Sequence, residues 1–176
     1  MASYITQEEL EAFEKKFVKE GDEKPQEYCN AAMEMIEKYL GYNPEMQTYT
    51  TLIKGDGGAL AALKSYPITE ITGLKINGED HEAEKLEVEN DNYVCFLDGS
   101  CFVKGNRYEI TYNAGFSTVP YIIKQTALQI ASLFWESAGG NLAVSSQSFA
   151  DTGSRVFNNF KADRFLEQIA EYKRVF

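Results

Sequence analysis

With 176 residues, 44% of them hydrophobic and 25% charged, the chain is long enough to bury a core without disulfide or metal staples and too apolar to stay disordered. Its 27 acidic residues outweigh 17 Lys and Arg, and a formal charge of −10 excludes nucleic-acid binding through a basic, phosphate-neutralising face. Such acidity keeps a contact-rich surface soluble before assembly; read more plainly, it is a solvated surface and nothing else.

Met1 to Leu10 has neither a basic start nor an apolar stretch, so no signal peptide is expected, and folding in a cytoplasm follows. Nowhere do about 18 apolar residues run together, so no membrane span is expected either. Thr6 followed by Glu9 is a capping box, and Leu10, Phe13, Phe17 and Val18 supply the apolar stripe of a helix over 6–20. Gly21 to Lys24 breaks it. Pro25 suits a first helical position, and a second helix runs to Leu40 with Gly41 as its stop. Its predicted apolar face is Tyr28, Ala32, Met35, Ile36 and Tyr39, with Glu34 and Lys38 on the other side.

From Met46 to Tyr112 the pattern changes to strands. Gln47 to Lys54 is rich in β-branched and aromatic residues and stops at Gly55-Asp56-Gly57-Gly58. Pro67 to Ile76 ends in the turn signal Asn77-Gly78. Tyr93 to Leu97, Asp98-Gly99 and Cys101 to Val103 read as a hairpin. Arg107 to Tyr112 alternates, with Tyr108, Ile110 and Tyr112 on one face. Five or six short strands in an antiparallel sheet are expected. After Pro120 a long helix begins, apolar at Ile122, Ile123, Thr126, Ala127, Ile130, Ala131 and Phe134 and widened by Leu128, Leu133 and Trp135, so that burial on most sides is expected. Leu142 to Phe149 and Gly153 to Phe157 read as a polar hairpin. A last helix over 161–172 places Phe165, Ile169, Tyr172 and Phe176 on one stripe. The expected class is α+β: a mainly helical core, 1–45 and 114–176, with an inserted β region, 46–113, in a single domain.

Catalysis needs convergent groups, and the chain offers few. His81 is the one histidine, which removes Ser-His-Asp, Cys-His and multi-histidine metal constellations unless His81 serves unaided. It lies in an acidic run, Glu79 to Asp91, whose seven carboxylates surround one lysine, Lys85. Oxygen ligands for a divalent cation are present there without calcium-loop spacing, and a solvated loop is the expectation. Gly55 to Gly58 lacks the lysine and following helix of a phosphate loop and carries its own negative charge, so it reads as a turn. Cys29, Cys95 and Cys101 are an odd set in apolar surroundings; Cys95 and Cys101 flank a turn, and buried free thiols are expected. No catalytic residue, metal or cofactor is expected.

The stretch Arg107 to Phe134, RYEITYNAGFSTVPYIIKQTALQIASLF, resembles the most recognisable segment of the tailed-bacteriophage head–tail connector family, also described as adaptor or head-completion proteins of DNA packaging. In that family a strand ending Tyr-x-Ala-Gly-aromatic precedes Val-Pro and a helix opening Ile-Lys-Gln. The matching residues are Tyr112, Ala114, Gly115, Phe116, Val119, Pro120, Ile123, Lys124 and Gln125. The opening Tyr4-Ile5-Thr6, the close Ile36 to Gly41, Tyr66-Pro67-Ile68 and the terminal Tyr172 to Val175 are similar too. The long hairpin 142–157 and the acidic 79–91 run depart from the pattern.

The resemblance implies a non-enzymatic viral structural protein of the virion's head–tail junction. Copies would form a homo-oligomeric ring, a dodecamer in the virion, beneath the portal protein, extending the DNA channel and offering a platform to a tail or head-completion protein. DNA would pass without specific binding, past an acidic lumen, and no membrane is involved. It further implies portal docking by the C-terminal segment, here Phe165, Ile169, Tyr172, Arg174 and Phe176. The alternatives are another virion or tail-completion component, and a ligand-binding module with an aromatic cleft on Tyr49, Tyr93, Tyr108 and Tyr112.

Overall fold

The computed structural model describes residues 4–15, 24–138, 146–149, 153–156 and 162–174. The class is α+β: two N-terminal helices, a long third helix, a short C-terminal one, two small antiparallel sheets and a hairpin. The chain forms two compact units, 1–40 with 120–173 and 41–119 with 174–176.

In the helical unit, α1 (Gln7–Glu14) starts with the expected capping box: the Glu9 N–H donates to Thr6 Oγ1 at 3.2 Å, and the Thr6 N–H donates to Glu9 Oε2 at 3.1 Å. The helix is shorter than the 6–20 expected. Lys15 turns left-handed at φ 54° and its N–H folds back to the Ala12 carbonyl, which ends the helix. Phe17 and Val18 lie outside the described residues. Helix α2 (Lys24–Leu40) ends as expected before Gly41, at φ 83°. Its sealed line is Pro25, Cys29, Ala32, Met33, Ile36 and Leu40, a rotation from the expected face. Tyr28, Met35 and Tyr39 are half-buried at its margin, because a phenol or thioether can cover an edge while its end stays wet. Lys173 sits over the Tyr39 ring, with Nζ 4.9 Å from the centroid.

Helix α3 (Tyr121–Ala138) follows Pro120, whose carbonyl accepts from the N–H groups of Ile123 and Lys124. Ile123, Thr126, Ala127, Ile130 and Ala131 form a sealed stripe, and the helix packs against α1, α2 and the C-terminal turn. Leu128, Leu133, Phe134 and Trp135 are only half-buried, so the expectation of burial on most sides narrows to one sealed stripe with half-covered flanks. At the far end, α4 (Asp163–Leu166) gives way to a 3-10 turn over Glu167–Tyr172 instead of continuing as the helix expected over 161–172. Ile169 leaves helical geometry at φ −110°, ψ 17°, yet is fully buried with Leu166 and Ala162 close behind. The stripe is therefore Ala162, Leu166 and Ile169; Phe165 and Tyr172 are half-buried beside it, and Phe176 lies outside the described residues. Strands β8 (Ser146–Phe149) and β9 (Gly153–Val156) pair antiparallel, Ser146 opposite Val156 and Phe149 opposite Gly153, as the polar hairpin pattern requires. Residues 142–145 and 157 of that expected hairpin are outside the described residues.

In the β unit, seven strands make two sheets: β1 (Gln47–Lys54), β7 (Arg107–Ala114), β3 (Ile68–Ile76) and β4 (Glu79–His81) in that spatial order, and β2 (Leu60–Ala62), β6 (Tyr93–Phe96) and β5 (Leu86–Glu89). Strand β7 is central and alternates as its sequence demands, with Tyr108, Ile110 and Tyr112 at 2%, 0% and 0% exposure. Asn77-Gly78, both at positive φ, makes the β3–β4 turn. Two expectations fail here. The 79–91 run is not a loop but β4, a 3-10 turn over Ala83–Lys85 and β5, while all seven carboxylates stay exposed. The 93–103 hairpin does not form either: β6 pairs with β2 and β5, and Phe102 is sealed in an aromatic cluster with Phe96 and Tyr108, at centroid distances of 5.0 Å each.

Candidate functional site: the backbone crossing at Tyr112 to Gly115

At the end of β7 three backbone segments meet within the β unit. Ala114, fully buried, stands opposite Gln47 of β1 and Ile68 of β3 at once. The next N–H groups are gripped from both sides: Gly115 donates to the Pro67 carbonyl at 2.9 Å and Phe116 to the Pro44 carbonyl at 2.8 Å. Phe116 returns its carbonyl to the Met46 N–H at 3.2 Å, in a parallel bridge between Glu45 and Phe116. Gly115 sits at φ 108°, and a Cβ there would lie 2.5 Å from the Glu45 carbonyl oxygen. Glycine is required at 115 because the backbone there is left-handed and a Cβ would meet the Glu45 main chain. Tyr66-Pro67 enters by a cis peptide, and the Tyr66 ring meets Tyr42 edge-on at 5.3 Å.

Tyr112, two residues before Ala114, belongs to a polar knot with buried Thr51 and Ser65 and half-buried Arg174. The Tyr112 hydroxyl accepts from the Ser65 N–H at 3.3 Å and lies 3.1 Å from Thr51 Oγ1. Arg174 donates through its two terminal nitrogens to the carbonyls of Leu63 and Lys64. Burial pulls the Arg174 pKa down from its ordinary value, and the facing Tyr112 and Tyr93 phenols oppose that shift. An arginine keeps its charge even so. Removing the phenol oxygen in Tyr112→Phe strands the Ser65 N–H; we expect about 1–3 kcal/mol lower stability in urea denaturation, with the native circular dichroism retained.

The remaining candidates separate. Val119 is nearly buried and Pro120 starts α3, while Lys124, in the helical unit, pairs with Glu9 at 3.7 Å and so ties α3 to the α1 cap. Phe165, Ile169 and Tyr172 lie on the C-terminal turn, whereas Arg174 belongs to the polar knot of the β unit. Of the four tyrosines of the suggested cleft, Tyr108 and Tyr112 are sealed and Tyr49 stacks on Tyr112 at 5.9 Å, so these three pack in the core, while half-buried Tyr93 lies on β6 of the other sheet. In the glycine turn the three glycine N–H groups are engaged within the chain: Gly55 with the Asn106 carbonyl, Gly57 with that of Phe102, Gly58 with Asp56 Oδ1. Among the described residues no three of His, Cys, Asp and Glu converge to hold a metal ion. Among the described residues Lys75 and Lys85 answer the exposed acids through surface pairs of 3.4–3.9 Å, which contribute little. Cys29 is buried, and its thiol is pushed up to about 11, first by burial and then by Glu9. Contrary to expectation, Cys101 is exposed and Cys95 partly so. The arrangement fixes how the chain leaves the sheet. Thr51, Ser65 and Pro44 had no signal in the sequence, although Tyr66-Pro67 beside Ile68 marked one of the three crossing segments.

The profile of a family described as "Head completion protein" matches residues 3–156. Among solved structures, a chain in "Neck of empty GTA particle computed with C6 symmetry" superposes with a TM-score of 0.68 at 16% identity, covering 99% of this chain and 91% of that one. A chain in "Neck of native GTA particle computed with C12 symmetry" gives 0.61 at 18%, covering 88% and 84%. One in "Virion of native gene transfer agent (GTA) particle" gives 0.63 at 17%, covering 90% and 81%. At these identities the likeness is one of fold. No curated protein matches.

Proposed function

The chain belongs to the Head completion protein family, and from that premise we propose that it is a structural subunit of the neck of a phage-like particle, acting by assembly and not by catalysis. The observation that carries this reading is a family match running through both compact units, from residue 3 to 156. The fold shared with chains from particle necks of sixfold and twelvefold symmetry supports it. The finer proposal is a single connector domain that closes into a dodecameric ring below the portal protein, extends the DNA channel and presents a platform to the tail. The exposed acidic face at 79–91 suits a lumen that DNA must traverse without sticking.

The C-terminal contact with the portal belongs to the same proposal. Ile169 is sealed and Arg174 is engaged on its own chain, so half-buried Phe165 and Tyr172, together with Phe176, are the residues a partner would cover. The test is complementation. Heads assembled without this chain should fail to join tails, and adding the purified protein should restore joining. Failure of folded protein to restore it would overturn the proposal.

A further inference from the structure

The two edges of the four-stranded sheet differ in kind. One is β4, three residues long and carrying Glu79 and Asp80, the short and charged strand that keeps a sheet from pairing further. The other is β1, eight residues in unbroken register with β7 and without a bulge, a proline or any charge before Lys54. On its outward face the Thr48 hydroxyl bonds Asn113 at 2.7 Å and the Thr50 hydroxyl lies 3.1 Å from that of Thr111, while Leu52 is 64% exposed. Among the described strands no partner lies on the far side of β1. The edges of the second sheet are short, β2 with three residues and β5 with four, two of them glutamates.

The same chain carries a hairpin with the opposite need. Strands β8 and β9 pair with each other and with no other described strand. A two-stranded hairpin is marginal in water unless something adds to it. We propose that the β8–β9 hairpin of one copy adds to the β1 edge of a second copy, extending the four-stranded sheet across the subunit boundary. The donor and acceptor are different surfaces, so the contact is head-to-tail and repeats from copy to copy. Pairing of β1 with another β1 would use the same surface twice and stop at two copies. An added strand would lie about 4.8 Å from β1, bringing neighbouring side chains beside Leu52. The inference rests on the ring reading above.

The test uses full-length protein, mixed from isotopically heavy and light copies and assembled on portal-bearing heads, with a benzophenone side chain in place of Leu52. Illumination should give heavy–light cross-links from position 52 into the peptide 146–156. In parallel, Arg155→Pro, which removes an N–H from β9, should lower ring assembly at least tenfold while the melting temperature stays at the wild-type value. Rings that cross-link from position 52 only elsewhere, or that form normally with Arg155→Pro, overturn the inference and leave the ring reading intact. A melting temperature lowered by Arg155→Pro would place the hairpin in its own subunit's fold and would overturn the inference in the same way. If the unmodified chain forms no ring on such heads, the ring reading falls and this inference with it.

Discussion

Gly115→Ala is expected to cost about 3–5 kcal/mol, enough to lower the melting temperature by roughly 10 °C or more in a chain of this size. Two penalties coincide at this position. The backbone sits at φ 108°, where an L side chain is strained by about 1–3 kcal/mol. The new Cβ would also stand 2.5 Å from the Glu45 carbonyl oxygen and 2.8 Å from Met46 Cα, atoms of the main chain that no rotamer change can move aside. Shifting them would strain the bonds from Gly115 to Pro67 and from Phe116 to Pro44, and with them the exit of β7. Gly57→Ala is the control: φ is 94°, but nothing lies within 4 Å of the added carbon. Its loss should stay near 1 kcal/mol by thermal or urea denaturation. Equal losses at the two sites would mean that the crossing at 115 is not crowded.

Ile130→Asp should unfold the helical unit. Ile130 is fully buried in the sealed stripe of α3, between Ala127 and Ala131 of the same stripe, with α1 and α2 packed against the helix. An unpaired carboxylate there costs about 3–5 kcal/mol, against a total stability of about 5–15 kcal/mol for a typical protein. Ile130→Val removes one methylene and should cost only about 0.5–1.5 kcal/mol, leaving the circular dichroism spectrum unchanged. A normal melting curve for the aspartate variant would show that the stripe is misassigned.

What could be read from the sequence followed the strength of the local signal. Strand β1 came out with its ends because a β-branched and aromatic run stops at four turn-forming residues, and β7 with its buried face because alternation over six residues leaves one arrangement. Helix α3 and the α1 cap were legible for the same reason: Pro120 and the Thr6–Glu9 pair act within one turn. The acidic 79–91 run hid two strands, since edge strands with exposed faces carry charges and look like loops. Phe102 was assigned to a hairpin because nothing local reveals that the Gly55 turn would dock on it through the Gly57 N–H and Gly58 carbonyl. The α2 face was rotated because half-buried Tyr28 and Tyr39 count as apolar in a periodicity, whereas Cys29 and Met33 do the sealing. At the crossing, Tyr112, Ala114 and Gly115 stood out through their resemblance to a known motif. Their physical necessity needed Glu45 and Pro67, which are distant in sequence and visible only once folded.

The most direct measurement is an electron cryomicroscopy reconstruction of portal-bearing heads incubated with the purified chain, compared with the same heads without it. Added density is expected in a closed ring at the neck, coaxial with the portal, into which both compact units fit. Density decorating the capsid surface or the distal tail, or none at the neck although the protein is bound, would contradict the ring reading.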